Sequence, residues 1–405
     1  VSSKILSVSG SKRSPRPSGI KSRREGSDIT SREDLSPPFR GLPCRVLIAI
    51  TMSLCAFGLM AVFSASAPEA LNSYHDATMF LRKQTIACMI GLFVMYMVSR
   101  YDYRRLRKWS WPVAIFAVGL LALTLVPGLS TTANGSTRWI NLGPIQFQPS
   151  EVAKVAAILL MASGLSKYFW WQRQNLFRIA LIFAMAVVVM KQPDLGSTLM
   201  IMSGMGVLLL VSGMNWVFIL SALAGGSVLV WHKIVDTPYQ MARIESWLNP
   251  YLHPQAQGWN IIQAQLAIGS GGWFGLGFGR SLQKLHYLPV QHADFIFAVI
   301  AEELGLAGGV VLLGLFAAFG YYGYRVAGHA RTLFGRLLAI GITSSILIQA
   351  MVNMMVTTGL LPVTGITLPF VSFGGTSLVV TLAMVGILLS VSRDSGVEDE
   401  EEALD

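Results

Sequence analysis

The sequence predicts an all-α polytopic membrane protein. It has ten transmembrane helices, both termini in the cytoplasm and one long outer loop between helices seven and eight. Three observations carry this. Of 405 residues, 53% are hydrophobic and only 13% charged. That is about half the charged share of a soluble domain and excludes an ordinary cytosolic enzyme. Residues 46–68, 84–99, 109–137, 195–231, 304–324 and 337–392 carry no charged side chain, and a helix needs about 20 apolar residues to cross a bilayer. The basic residues gather in alternate loops, as membrane proteins place them.

The spans follow in order. The first two are 46–66 and 80–99, and the third, 109–128, ends at Pro127-Gly128. Spans four (149–167) and five (177–191) tolerate charge at an end. Ser212-Gly213-Met214-Asn215 divides the next run into spans six (195–212) and seven (215–234). Span eight is 293–322, and Pro362 to Gly375 separates spans nine (336–358) and ten (373–392). Arg100 to Lys108 holds five basic residues, and the loops 168–178 and 323–335 add Arg173, Arg178, Arg325 and Arg331. The opposite loops 129–148 and 359–372 hold only Arg138, so the basic side is assigned to the cytoplasm.

This divides the chain into a disordered basic tail (1–44), a membrane domain (45–392) and an acidic tail (393–405). The outer loop 235–292 contains Trp247, Trp259 and Trp273 and is expected to pack on the membrane face. The net charge of +10 sits largely in the tail and short loops and does not indicate nucleic acid. Cys44, Cys55 and Cys88 lack CxxC spacing and read as small buried hydrophobes.

Ten carboxylates remain in 46–392: Glu69, Asp76, Asp102, Glu151, Asp194, Asp236, Glu245, Asp294, Glu302 and Glu303. Asp102, among arginines on the cytoplasmic side, reads as a solvated ion pair. The other nine fall in the outer half, with Arg138, Lys154, Lys191, Arg243, Arg280 and Lys284. Polar groups in one leaflet are costly in lipid unless they line a wet cavity, so an outward-facing polar cavity is expected.

Within span eight, Asp294 and Glu302 are separated by a rise of about 12 Å and a rotation of about 80°. They can face one cavity at two depths, while Glu303 points elsewhere. Asp294 has two readings, a cavity group or a carboxylate favoured by the helix dipole. Glu302 is a functional group or, with more weight, half of a structural ion pair. Glu151 and Lys154 share a helix face and read as a self-pair. Asp194 reads as an N-cap for span six. Arg138 is an interfacial anchor or an anion contact.

The glycines of 269–279 match neither a P-loop nor a dinucleotide fingerprint. They can bring backbone close to a helix or a polyprenyl chain. Gly305 and Gly309 read as a small-xxx-small packing pair. His286 and His292 have the wrong spacing for a one-face zinc pair, and no metal site is assigned.

Several strings together make the chain resemble the SEDS family (shape, elongation, division and sporulation) over nearly all of 45–392. They are Gly135-Ser136-Thr137-Arg138-Trp139-Ile140, Gln148-Pro149-Ser150-Glu151 with Lys154, Gln192-Pro193-Asp194-Leu195-Gly196-Ser197, and Gly275-Leu276-Gly277-Phe278-Gly279. Leu288-Pro289, the run His292 to Gly305 and the run Pro362 to Gly375 complete the set. The chain departs from the family at Val290, where a Glu is usual, and at Ala293, where a Thr is usual. A role for that Glu does not carry over.

The resemblance implies a division-type peptidoglycan glycosyltransferase in the bacterial plasma membrane at the septum. It would polymerise lipid II into β-1,4 glycan strands. The family's key aspartate maps to Asp294, implied as the general base. Arg138, Lys154, Lys191 and Arg243 are the local cations for a pyrophosphate leaving group, and Glu151, Asp194 and Glu302 complete the expected substrate-binding set. No tightly bound cofactor is implied, and Mg²⁺ is admitted as a counter-ion. The implied partners are a class b penicillin-binding transpeptidase and other division proteins. The competing reading is a lipid II flippase using the same cavity. The clustering of ionisable residues on one side favours catalysis there. A non-catalytic scaffold would leave Asp294 and Glu302 unexplained.

Overall fold

A computed structural model describes residues 42–126, 130–133, 136–141, 146–236, 238–252, 258–281 and 293–394. Most of the predicted tails lies outside the described residues, as do Lys284, His286, Val290 and His292.

Long apolar runs become helices because a helix satisfies its own backbone in lipid. The order is α1 (Leu42–Tyr74), α2 (Met79–Arg100), α3 (Tyr103–Leu123), α4 (Pro149–Leu165), α5 (Arg173–Lys191), α6 (Leu195–Val211) and α7 (Trp216–Val235). Then come α8 (Pro238–Leu248), α9 (Trp259–Gly271), α10 (Ile296–Gly328), α11 (Leu333–Thr357) and α12 (Gly375–Asp394). Among the described residues, seven helices are long and apolar enough to cross a membrane: α1, α2, α3, α5, α10, α11 and α12. The shorter α4 and α6 have 17 residues each.

Helix α4 forms the axis of the bundle. Its small residues Ala153, Ala156, Ala157 and Ala162 are fully buried, and α3, α5, α6 and α11 pack around it. Small side chains let helix backbones approach closely where lipid supplies no hydrophobic drive. Helix α12 packs along α2, and α10 packs between α1 and α11. Helix α7 lies at the periphery, with Trp216, Phe218, Val228 and Trp231 exposed, as expected of a lipid-facing surface. Cys55 and Cys88 are buried free thiols and Cys44 is a half-buried one.

Several expectations need correction. The segment expected as an outer loop at 129–148 contains three short strands, so the class is not purely α-helical. Strands β1 (Ser130–Ala133), β2 (Ser136–Asn141) and β3 (Gln146–Phe147) form an antiparallel sheet in the order β1-β2-β3. Ile140 pairs with Phe147 across β2 and β3. The β-branched Thr137 and Ile140 and the aromatic Trp139 suit a strand better than a free loop.

The third span starts earlier than expected, at Tyr103, because Asp102 caps it. The Asp102 carboxylate accepts from the Arg104 backbone N–H at 2.8 Å. The Arg104 guanidinium pairs instead with Asp394 at 2.7 Å. Asp102 is thus an N-cap and not a solvated ion pair.

Helix α10 contains a break. Gly305 has φ 65° and ψ −163°, a backbone region essentially confined to glycine. The glycine-rich segment after α9 completes the broken ladder. Leu276 and Gly277 donate to the Glu302 and Glu303 carbonyls at 3.0 Å each, and Leu306 and Ala307 donate to Gly272 and Trp273 at 2.9 and 3.1 Å. A side chain on Gly271, Gly275 or Gly305 would meet backbone of the opposing segment. Gly305 therefore breaks its helix and does not form the expected small-xxx-small pair with Gly309.

Candidate functional site

Four chain segments meet at one end of the bundle: β2 and β3, the α5–α6 turn, the start of α10 and the segment 358–374 before α12. They come together because side chains of α11 hold the last two. Asn353 donates to the Asp294 carbonyl at 3.0 Å and to the Ile366 carbonyl at 2.7 Å. One turn earlier, Gln349 donates to the Thr367 carbonyl at 3.0 Å. On the far side, Gln84 of α2 donates to the Ser372 carbonyl at 3.1 Å, and Thr376 donates to the Gln146 carbonyl of β3 at 2.9 Å. Gln349 and Asn353 were not anticipated. Two amides four residues apart on an apolar helix share a face, and that signal was available in the sequence.

Three charged side chains gather there. Arg138 of β2 lies 3.6 Å from Asp194, with side-chain exposures of 13% and 2%. Asp194 caps α6 as expected, accepting from the Ser197 N–H at 3.0 Å and the Ser197 hydroxyl at 2.7 Å. Asp294 is the third. A Cβ placed on Gly365 would stand 3.4 Å from Arg138 Nη1 and 3.7 Å from Asp294 Oδ2. The guanidinium and the carboxylate thus flank one glycine, which at φ +73° keeps the space open. Arg138 Nε is buried without a hydrogen-bond partner among the described residues, and Asp294 is half-buried.

Asp294 does not sit within the helix. It occupies a turn before Ile296, so the helical phase that related it to Glu302 does not apply. Glu302 is buried, and its carboxylate accepts from the Ser281 hydroxyl. Glu303 faces the opposite partner, as expected, accepting from Ser64 of α1 at 2.6 and 2.8 Å. Glu302 thus ties the glycine-rich segment to α10 beside the Gly305 break, and Glu303 ties α10 to α1.

The expected pair forms deep in the bundle. Lys154 Nζ donates to Glu151 at 2.8 Å and to Gln349 Oε1 at 2.6 Å, with only 2% of the lysine side chain exposed. Arg243 of α8 donates to the Val363 carbonyl at 3.1 Å, and Trp247 donates to the Gly359 carbonyl at 2.9 Å. Helix α8 is thereby docked on the same segment that carries Gly365. Lys191 is exposed at the end of α5. Among the described residues, no group of three or more His, Cys, Asp or Glu side chains is placed to hold a metal ion.

The order of these strings and the fold that joins them match a known family. The family profile described as cell cycle protein, covering FtsW, RodA and SpoVE, matches residues 45–396. The chain belongs to this family. Stage V sporulation protein E of Bacillus subtilis is 41% identical over 362 residues, covering 87% of this chain and 98% of that protein. A probable peptidoglycan glycosyltransferase FtsW of Trichlorobacter lovleyi is 38% identical, covering 86% and 92%. Among solved structures, a chain from work on coordination of polymerization and crosslinking by a peptidoglycan synthase complex superposes with a TM-score of 0.72. It is 31% identical and covers 86% of this chain and 97% of that one. The rod shape determining protein RodA of Thermus thermophilus gives a TM-score of 0.65 at 30% identity, covering 86% and 96%. The family membership makes this a membrane protein with a RodA-like helical fold.

Proposed function

We propose that this chain is a peptidoglycan glycosyltransferase of the FtsW type that polymerises lipid II, with Asp294 as general base. One observation carries the assignment of the site: the Asp294 carboxylate and the Arg138 guanidinium flank Gly365. A glycosyl transfer onto a hydroxyl needs a base at the acceptor and positive charge at the leaving group, and this pairing supplies both.

In this reading the acceptor hydroxyl of lipid II gives its proton to Asp294. Its oxygen bonds to the anomeric carbon of the growing strand, and the bond from that carbon to the lipid pyrophosphate breaks. Arg138 supplies positive charge for the departing phosphate, and its Nε has no hydrogen-bond partner among the described residues. Asp194 holds Arg138 in place. Arg243 and Trp247 position the segment 359–365 over the site through its carbonyls. Lys191, exposed at the same end, is a further cation of the set. Lys154, Glu151 and Glu302 act through the backbone they brace. A Mg²⁺ ion arriving on the pyrophosphate would find the Asp294 carboxylate. One or two carboxylates plus substrate phosphates suit that ion, so the donor set fits a substrate-borne cation.

Ten membrane crossings with both termini in the cytoplasm accord with the two ends of the bundle. One end carries Arg100, Arg104, Arg107 and Arg325 and the ends of α2, α3 and α12. The other carries the candidate site, which then faces outward, where a lipid-anchored sugar would be presented. A class b transpeptidase as membrane partner and a septal location follow the FtsW reading. The flippase alternative draws no support from the described geometry, because the site's charges sit at one end.

The test is polymerisation of lipid II by the purified chain, with and without its transpeptidase and Mg²⁺. The Asp294→Ala variant should make no polymer while keeping the unfolding temperature of the parent. Polymer retained by that variant removes Asp294 from the chemistry. Lipid movement across vesicles by a chain that makes no polymer under any condition removes the enzyme reading.

A further inference from the structure

At the basic end of the bundle, away from the candidate site, a cavity of about 550 Å³ is lined by Trp111, Tyr168, Gln174, Phe177, Arg178 and Leu181. Arg178 is the unusual member. It lies on α5, a span, with 8% of its surface exposed. A buried guanidinium is costly unless paired and hydrogen-bonded. Between Asp102 and Asp194 the sequence contains a single acid, Glu151, and that one is paired with Lys154. Among the described residues Arg178 has no carboxylate partner. Its Nη1 donates to the Gln174 carbonyl at 2.9 Å and to Asn175 Oδ1 at 3.3 Å, and its Nε has no hydrogen-bond partner.

The surroundings keep the charge in place without neutralising it. The guanidinium stands over the Trp111 ring at 5.5 Å and the Tyr168 ring at 5.8 Å, attractive contacts that leave the positive charge intact. Gly164 of α4 provides the room. A Cβ there would come within 2.6 Å of Arg178 Cδ. Asn175 closes the turn behind it, donating to the carbonyls of Tyr168 and Phe169 at 2.9 and 3.2 Å. The other wall of the cavity is apolar and outward-facing, since Phe177 and Trp111 are exposed. Arg178 lies five residues into α5, roughly 8 Å from its start.

We infer that this cavity binds an anionic phospholipid of the leaflet facing the basic loops, its phosphate on Arg178 and its acyl chain along Phe177 and Leu181. A free anion would have no use for the apolar wall, and a zwitterionic lipid would bring its own cation beside the phosphate, against a guanidinium that has no carboxylate partner among the described residues. Basic pockets between membrane helices on this side recognise such headgroups. The proposal does not depend on the glycosyltransferase reading.

The full chain, purified in detergent, is titrated with phosphatidylglycerol, phosphatidylcholine or inorganic phosphate. Retained lipid is read by native mass spectrometry and the unfolding midpoint is read in parallel. Phosphatidylglycerol should be retained and raise the midpoint, while the other two do neither. Arg178→Gln should lower phosphatidylglycerol retention about fivefold, and Arg173→Gln, at an exposed charge of the same helix end, should lower it far less. Where Arg178→Gln fails to fold, Trp111→Leu, which removes the aromatic wall and keeps the charge, should lower retention instead. Equal retention of the two lipids by the parent chain overturns the proposal. Stabilisation by phosphate alone, or equal effects of Arg178→Gln and Arg173→Gln, overturns it as well.

Discussion

Two ionic groups in this bundle differ in how completely the protein satisfies them. Glu151 and Lys154 meet at 2.8 Å, and Gln349 takes a further lysine proton at 2.6 Å. With 2% of the lysine exposed, little is left for a substrate to bind. Arg138 and Asp194 stand 3.6 Å apart, Arg138 Nε has no partner among the described residues, and Asp294 shares the space over Gly365. The first group joins α4 to α11 and, through Gln349, to the segment before α12. The second leaves one buried donor, Arg138 Nε, without a partner among the described residues, next to the half-buried Asp294. Sequence counts both as polar clusters in the same leaflet, and their difference separates bracing from chemistry.

The largest expected effect tests the open group. Asp294→Asn keeps the shape and removes the base, so polymerisation should fall by about 10²–10⁴-fold, with the unfolding midpoint unchanged. An equal loss of fold and activity would erase the distinction between the two groups. Lys154→Met should do the reverse. It leaves Glu151 buried and unpaired, at a cost of about 3–5 kcal/mol, read as a lowered midpoint. The double variant Glu151→Leu with Lys154→Met should recover much of it. Loss of activity in a well-folded double variant would move Lys154 into the site.

Smaller effects sharpen the picture. Gly305→Ala forces a glycine-only conformation on alanine and should destabilise by about 1–3 kcal/mol, measured by chemical unfolding. No change would mean that α10 can be rebuilt without its break. Lys191→Ala, at an exposed helix end, should leave stability within about 0.5 kcal/mol. Any effect it has should appear in polymerisation rate alone.

The closed pair and the Asp194 cap were legible because both depend on residues three or four apart, where helix geometry decides the contact. The pairing of Arg138 with Asp194 was not, since it joins a strand to a helix cap across 56 positions. The role of Asp102 differs from its sequence reading for a related reason. Five neighbouring basic residues suggested an ion pair, but the carboxylate met its own helix N-terminus first. The Gly305 break was likewise hidden. Gly305 and Gly309 have packing spacing, and only the arrival of 272–277 against α10 showed which hydrogen bonds the break exchanges.

What the sequence by itself determined was the helical membrane architecture, the side on which charge collects and the short inventory of carboxylates. Those follow from local rules, since hydropathy over about 20 residues decides burial in lipid. Only the tertiary structure decided which of the charges remain usable. That depends on long-range partners such as Gln349 and Asn353 on the segment carrying Ile366 and Thr367. A charge inside a membrane protein is defined by what already occupies its hydrogen-bonding positions, and those partners come from distant parts of the chain.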